Sequence, residues 1–223
     1  MIFVETHTYA LGWAMGIDEA AEEIHRQLQV TDNHSLPCVR TIKRLQTLDE
    51  VCLWTDSGST RIAESRSRGF HQARLTMREP SDIWFSVDDD CEATFESLKW
   101  MLEAVRDRSG ICIAPYWARL SNERTPGINC NLPPVADGER RVFRKLSNGG
   151  LVTAANYGGM GLVATSKAAV DLIAEHNQYI GYIDTEGTER IPLFMEYLDN
   201  RFWLGEDLAF FRRVPPSVTI EAL

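Results

Sequence analysis

Several signatures are missing from this 223-residue sequence, and each absence removes a class of protein. The opening "MIFVETHTYALG" has no basic segment leading into an apolar one, so it does not read as a secretory signal. No uninterrupted apolar run reaches the length of a membrane span. There is no internal repeat, low-complexity tract or obvious linker. None of the five cysteines, Cys38, Cys52, Cys91, Cys112 and Cys130, falls in a C-x-x-C pair, which excludes the common zinc and redox motifs and implies buried reduced thiols. The five histidines, His7, His25, His34, His71 and His176, lack paired metal-ligand spacing, so each is expected at the surface or in a satisfied structural role. With 44% hydrophobic and 25% charged residues, the chain reads as one soluble, cytoplasmic domain.

Positive charge is scarce overall, and what there is clusters. The net charge is −9, yet Pro115–Gly150 carries six cations (Arg119, Arg124, Arg140, Arg141, Arg144, Lys145) against three anions (Glu123, Asp137, Glu139). That segment is therefore +3 and the remainder −12, an asymmetry that suits either a face for an anionic partner or a loop of solvated charges.

Short apolar runs at 2–5, 51–54, 83–87 and 111–115 alternate with helix-period stretches at 17–28, 60–77 and 93–105. Such alternation predicts an α/β fold with a mostly parallel sheet flanked by helices. After Pro115 a Pro-, Asn- and Gly-rich stretch runs to "NGG" at 148–150, too long for a simple connection and typical of a binding insertion. Apolar periodicity returns at 161–173, 194–198 and 208–211.

The run "IWFSVDDD" places Asp88, Asp89 and Asp90 between a buried strand and a helix, where open α/β sheets bind ligands. If the chain stays extended, Asp88 and Asp90 face one side. Converging carboxylates call for a raised pKa, a cationic partner or a hard cation such as Mg²⁺ or Mn²⁺. They also suit a phosphatase-type nucleophile and acid, or an acidic helix N-terminus that only complements the dipole. In the preceding helix, Ile62, Gly69, Phe70, Ala73 and Met77 share an apolar arc, with Arg66 in its middle and Arg68 on the solvated side. A core-facing guanidinium must be paired, so Arg66 is expected to meet the aspartates or an anion beside them. Glu206 and Asp207 open a later helix, and Gly158, Gly159 and Gly161 permit close backbone approach or tight turns.

Taken in order, "FVETHTYALG", "STRIAESRSRG", "IWFSVDDD", "GGMGLVATSKAAV" and "LGEDLAFFRR" resemble the nucleotide-sugar glycosyltransferases of the GT-A fold, over most of the chain. Some members of similar length are encoded by bacteriophages. The resemblance implies a single Rossmann-like GT-A domain, with a nucleotide-sugar-binding half at 1–114 and an acceptor half at 115–223. It implies Mn²⁺ or Mg²⁺ held by Asp88 and Asp90, and a nucleotide-diphosphate sugar contacted by Thr6, Arg66, Asp88 and Gly159. It implies Asp207, with Glu206 second, as the base that deprotonates the acceptor hydroxyl. The acceptor could be a glycan, a protein, a lipid head group or a hydroxylated base in DNA, met by the basic residues of 119–145 with Tyr116 and Trp117 stacking. One departure stands out: many relatives continue to a histidine that completes the metal shell, whereas "RRVPPSVTIEAL" has none. The other readings of the same residues are a haloacid-dehalogenase-like phosphatase, and a non-catalytic module whose aspartates bind Ca²⁺ or serve structure.

Overall fold

The computed structural model describes residues 1–7, 17–30, 35–55, 62–115, 117–118, 127–128, 130–183, 187–199 and 202–223. Eight strands form one sheet: β1 (Ile2–His7), β2 (Val51–Thr55), β3 (Ile83–Asp88), β4 (Gly110–Ile113), β5 (Arg144–Lys145), β6 (Leu151–Ala154), β7 (Leu162–Ser166) and β8 (Thr219–Ala222). Their order across the sheet is β2-β1-β3-β7-β4-β8-β6-β5. β1 pairs in parallel with β2 and β3, and β8 with β4, while β7 and β6 run against their neighbours, so six of the eight strands point one way. The α/β sheet expected from the alternating pattern is thus present, with most strands sharing one direction but with antiparallel pairings wherever β7 and β6 intervene. β7, from the later part of the chain, is inserted between β3 and β4.

Among the described residues, six α-helices cover the two faces: α1 (Ile17–Leu28), α2 (Pro37–Gln46), α3 (Ile62–Thr76), α4 (Phe95–Arg106), α5 (Lys167–Asn177) and α6 (Glu206–Arg212). Alternation along the strands decides which helices each face receives. Ile2 and Val4 of β1 with Ile83, Phe85 and Val87 of β3 pack against α1, α2 and α4 through Ile24, Ile42, Leu98 and Met101. Phe3 and Trp84, one step out of phase, pack against α3, α5 and α6 through Phe70, Val170 and Phe210. An aromatic group centres this second core, with Trp84 edge-on to Phe70 at 5.4 Å and Phe194 stacked on Phe210 at 4.7 Å.

Local chemistry fixes the ends of several elements. Thr94 caps α4 by accepting from Ser97 N–H at 3.1 Å. Ser166 caps α5 by accepting from Ala169 N–H at 3.2 Å. Gly149, at φ +90, makes the turn between β5 and β6 in a region other residues avoid. α2 and β8 have no counterpart in the sequence-based expectations, although Pro37 at the first helical turn followed by Cys38, Val39, Ile42 and Leu45 carries a readable helix signal. The five cysteines are all free; Cys38 and Cys112 are buried as expected, whereas Cys52, Cys91 and Cys130 are only partly buried. Among the described residues, no helix is long and apolar enough to cross a membrane.

Candidate functional site

The site lies at the edge of the sheet where β1 and β3 end. β7 runs opposite to β3, so its start reaches the same edge, and the Gly161 carbonyl accepts from the Asp88 N–H at 2.9 Å. This brings the glycine stretch beside the D-x-D strand end, although 70 residues separate them in sequence. α6 delivers Glu206 and Asp207 in its first turn. α3 delivers Arg66, whose side chain is 3% exposed.

Arg66 organises the cluster. Its Nη2 lies 3.1 Å from both Asp88 Oδ1 and Asp88 Oδ2. Its Nη1 donates to Asp207 Oδ1 and stands 3.8 Å from Glu206 Oε1. The two-pronged guanidinium is the side chain suited to holding two carboxylates in fixed directions. Burial works against the Arg66 charge, but Asp88, Asp207 and Glu206 outweigh it and raise the group further above its already high value. Burial pushes the Asp207 carboxyl above the ordinary aspartate range; Arg66 pulls it down, while Glu206 and Asp88 push it up again. The backbone N–H of Met160 also points to Asp207, so the glycine stretch meets the Asp88 backbone and the Asp207 carboxylate.

A second polar group lies directly beneath. Glu5 and His7 share one face of β1, and both are buried. His7 Nδ1 bonds Ser65 Oγ at 2.8 Å, and Trp84 Nε1–H donates to Glu5 Oε2 at 2.7 Å. His7 Nε2 and Glu5 Oε1 are 2.7 Å apart, a close contact outside hydrogen-bonding geometry. Burial drives the Glu5 carboxyl upward, against the pull of His7, Trp84 and Arg66. Gly69 of α3 sits on this carboxyl so closely that any Cβ there would collide with it. Ser65 adjoins Arg66 in α3, so the Glu5–His7–Ser65 chain anchors the turn that aims the guanidinium. The order resembles a Glu–His–Ser triad, but Ser65 is 5% exposed and turned into the protein, which denies it a substrate.

The structure brings Arg66, Asp88, Glu206 and Asp207 together, and Gly159 lies one residue from Met160. Asp90 differs from expectation. β3 ends at Asp88, and the Cys91 N–H returns to the Asp88 carbonyl at 3.0 Å, closing a tight turn. The chain is therefore not extended through the aspartates: Asp90 is exposed, with Cys91 Sγ 3.6 Å away, while Asp89 is buried on the turn. Thr6 is buried and out of phase with His7, so its hydroxyl faces Cys38 of α2 on the other side of the sheet from Arg66. Arg68, expected to be solvated, is 17% exposed and pairs with Glu64 at 3.2 Å. Glu5, His7 and Ser65 were not among the predicted site residues, and two ionisable groups two apart in the buried strand "IFVETH" were the available signal.

The basic segment is also partly committed. Arg144 reaches back to Glu221 of β8, with Nε–H donating to Oε1 at 2.9 Å, and to the Ala104 carbonyl at 3.2 Å. Arg141 donates to the Pro133 carbonyl at 3.0 Å. Arg140 and Lys145 are exposed. Arg119, Arg124, Tyr116 and the side chain of Trp117 lie outside the described residues.

Three carboxylates surround one guanidinium, and oxygen donors in surplus of positive charge suit a hard divalent cation in kind. Among the described residues, no group of three or more His, Cys, Asp or Glu is placed to hold one.

No protein-family description matches the chain, and no curated protein matches it. Among solved structures, the chain is similar to the crystal structure of A197 from STIV. The TM-score is 0.48 at 12% identity, over 100% of this chain and 81% of that one. The likeness is distant, and the fold stands on the chain's own strands.

Proposed function

We propose that this protein is a glycosyltransferase that moves a sugar from a nucleotide-diphosphate sugar to an acceptor hydroxyl. One observation carries the reading. Arg66, Asp88 and Asp207, from three separate stretches, meet in one cluster at the carboxyl end of β3, and these are the residues the sequence resemblance assigns to the donor diphosphate, the D-x-D motif and the base. Asp88 and Asp90 would hold Mn²⁺ or Mg²⁺, which supplies Lewis-acid neutralisation of the departing diphosphate. Arg66 contributes fixed positive charge at the same place without reorganisation during reaction. Asp207 takes the acceptor's proton: burial gives its carboxylate a greater appetite for one than an ordinary aspartate, and the Met160 N–H and Arg66 orient it. Glu206, carrying a like charge beside it, strengthens that appetite. Gly159 gives the backbone close access to the substrate.

The test is a thermal-shift screen with UDP-, GDP-, TDP- and ADP-sugars, each with Mn²⁺ and with chelator, on wild type, Asp90→Ala and Asp207→Asn. The reading expects one nucleotide to stabilise the wild type in a metal-dependent way, by linkage. Asp90→Ala should lose that shift, whereas Asp207→Asn should keep it and lose sugar transfer. Indifference of the wild type to every donor would refute the reading.

A further inference from the structure

The turn that closes β3 is gripped from outside by α2. Thr41 is fully buried in the middle of that helix, and its single hydroxyl makes two bonds to the turn. Thr41 Oγ1 accepts from the Ala93 N–H at 3.0 Å and donates to the Cys91 carbonyl at 3.4 Å, so it spans residue 92. Inside a helix a threonine hydroxyl often bonds the carbonyl one turn back; this one bonds the neighbouring loop. Arg40 and Arg44, one residue before it and three after, take hold of the same stretch. Arg40 Nη2 donates to Glu92 Oε2 at 2.6 Å, Arg44 Nη2 lies 2.8 Å from Glu92 Oε1, and Arg44 Nη1 donates to the Ala93 carbonyl at 2.5 Å. The Cys38 N–H, in the first turn of α2, reaches the Asp89 carbonyl at 3.5 Å. α2 thus answers backbone groups of residues 89, 91 and 93 that must otherwise be met by water. The Cys91 N–H in turn closes on the Asp88 carbonyl at 3.0 Å, so bonds run from Thr41 through Cys91 to Asp88 and on to Arg66.

We propose that Thr41, assisted by Arg40 and Arg44, is a positioning residue of the site: α2 sets the turn, the turn sets the Asp88 carboxylate against Arg66, and donor binding depends on that setting. This deepens the glycosyl-transfer reading, and only the kinetic part of its test rests on that reading. The three aspartates then divide cleanly. Asp88 faces Arg66, Asp89 is buried on the turn beside the start of α2, and Asp90 is exposed. Asp207 is held from the other side, by Arg66 and the Met160 N–H, so loosening α2 disturbs the donor side and leaves the base in place. A displacement of about 1 Å that starts away from the reacting atoms can cost on the order of 10²-fold.

The experiment compares the full wild-type chain with Thr41→Val, which keeps the shape and removes both bonds, and with Thr41→Ser, which keeps the hydroxyl. Hydrogen exchange of the Cys91 amide, followed by nuclear magnetic resonance, reports the turn, and urea midpoints report global stability. Steady-state transfer from the nucleotide sugar that stabilises the wild type reports donor KM and kcat. In Thr41→Val the Cys91 amide should exchange roughly ten-fold faster, or more, than the fall in global stability alone produces. Donor KM should rise roughly ten-fold or more while kcat stays within about three-fold, a split that a general loss of folded protein does not produce. Thr41→Ser should restore both. Arg44→Met, at a side chain 34% exposed, carries the same expectation and keeps the test alive if Thr41→Val does not fold. Cys91 exchange that merely follows global stability, or a donor KM unmoved while that exchange quickens, would overturn the inference. Quickened Cys91 exchange in a protein that responds to no nucleotide sugar would support the hold of α2 on the turn and remove the glycosyl-transfer reading instead.

Discussion

Gly69→Ala sets two opposed effects against each other, and the contact with Glu5 decides the outcome. In the interior of α3, alanine for glycine is favourable by about 1 kcal/mol through helix propensity. The added methyl, however, meets the Glu5 carboxyl, which is 0% exposed and has no space to retreat into. Overpacking a filled core costs about 1–3 kcal/mol. Pushing Glu5 aside also breaks its 2.7 Å bond from Trp84 and leaves buried polar atoms unpaired, a further cost of about 1–3 kcal/mol. The balance runs from roughly 1 to 5 kcal/mol destabilising, so the sign holds across the range. Urea unfolding followed by tryptophan fluorescence reads it as a lower midpoint at unchanged slope. In a Glu5→Ala background the obstacle is gone, and the same Gly69→Ala change should become neutral or stabilising. That reversal is what a double-mutant cycle isolates. A midpoint unchanged or raised by Gly69→Ala alone would show that α3 does not rest on Glu5, and the argument that this buried chain aims Arg66 would fail with it.

Other expectations follow from single contacts. Asp207→Asn should lower sugar transfer by about 10²–10⁴-fold, the usual contribution of a positioned base. The wild-type pH–rate limb should rise with pH, with a midpoint above the ordinary aspartate value of about 3.9, because the Asp207 carboxyl is raised. Glu206→Gln removes a neighbouring like charge and should move that limb to lower pH; an unmoved limb would disconnect the pair. Asp82 accepts from the Arg78 N–H at 2.7 Å and the Glu79 N–H at 2.9 Å, and these bonds outweigh burial to hold its pKa down. A depressed folded pKa gives stability that is present above the ordinary value and lost as pH falls through the folded one, so Asp82→Asn should flatten the acid side of the stability–pH curve. Arg144→Ala should cost stability, about 1–3 kcal/mol for hydrogen bonds between charged groups, read by urea midpoint. It should leave any DNA affinity unchanged, because Arg144 already answers to Glu221.

What could be read from the sequence was whatever leaves a periodic or chemical trace within one element. Arg66 is the clearest case: a charge in the middle of an apolar arc had to be paired, and the structure pairs it with Asp88 and Asp207. The direction of β7 leaves no such trace, because "LVATS" reads identically parallel or antiparallel. Yet that direction decides the site. Had β7 run with β3, its glycine-containing lead-in would lie at the opposite edge of the sheet, far from Asp88. The extended run expected through Asp88, Asp89 and Asp90 fails for a related reason: alternation of side chains holds only while the strand lasts, and the bond from Cys91 to the Asp88 carbonyl ends it one residue before the rule would have been needed. The same rule, applied backward along β1, puts Glu5 and His7 under Arg66 and turns Thr6 away from it. Register within a strand thus sorts the candidate residues into those that share the Arg66 face and those that do not, and pairing across the sheet then decides which of them meet.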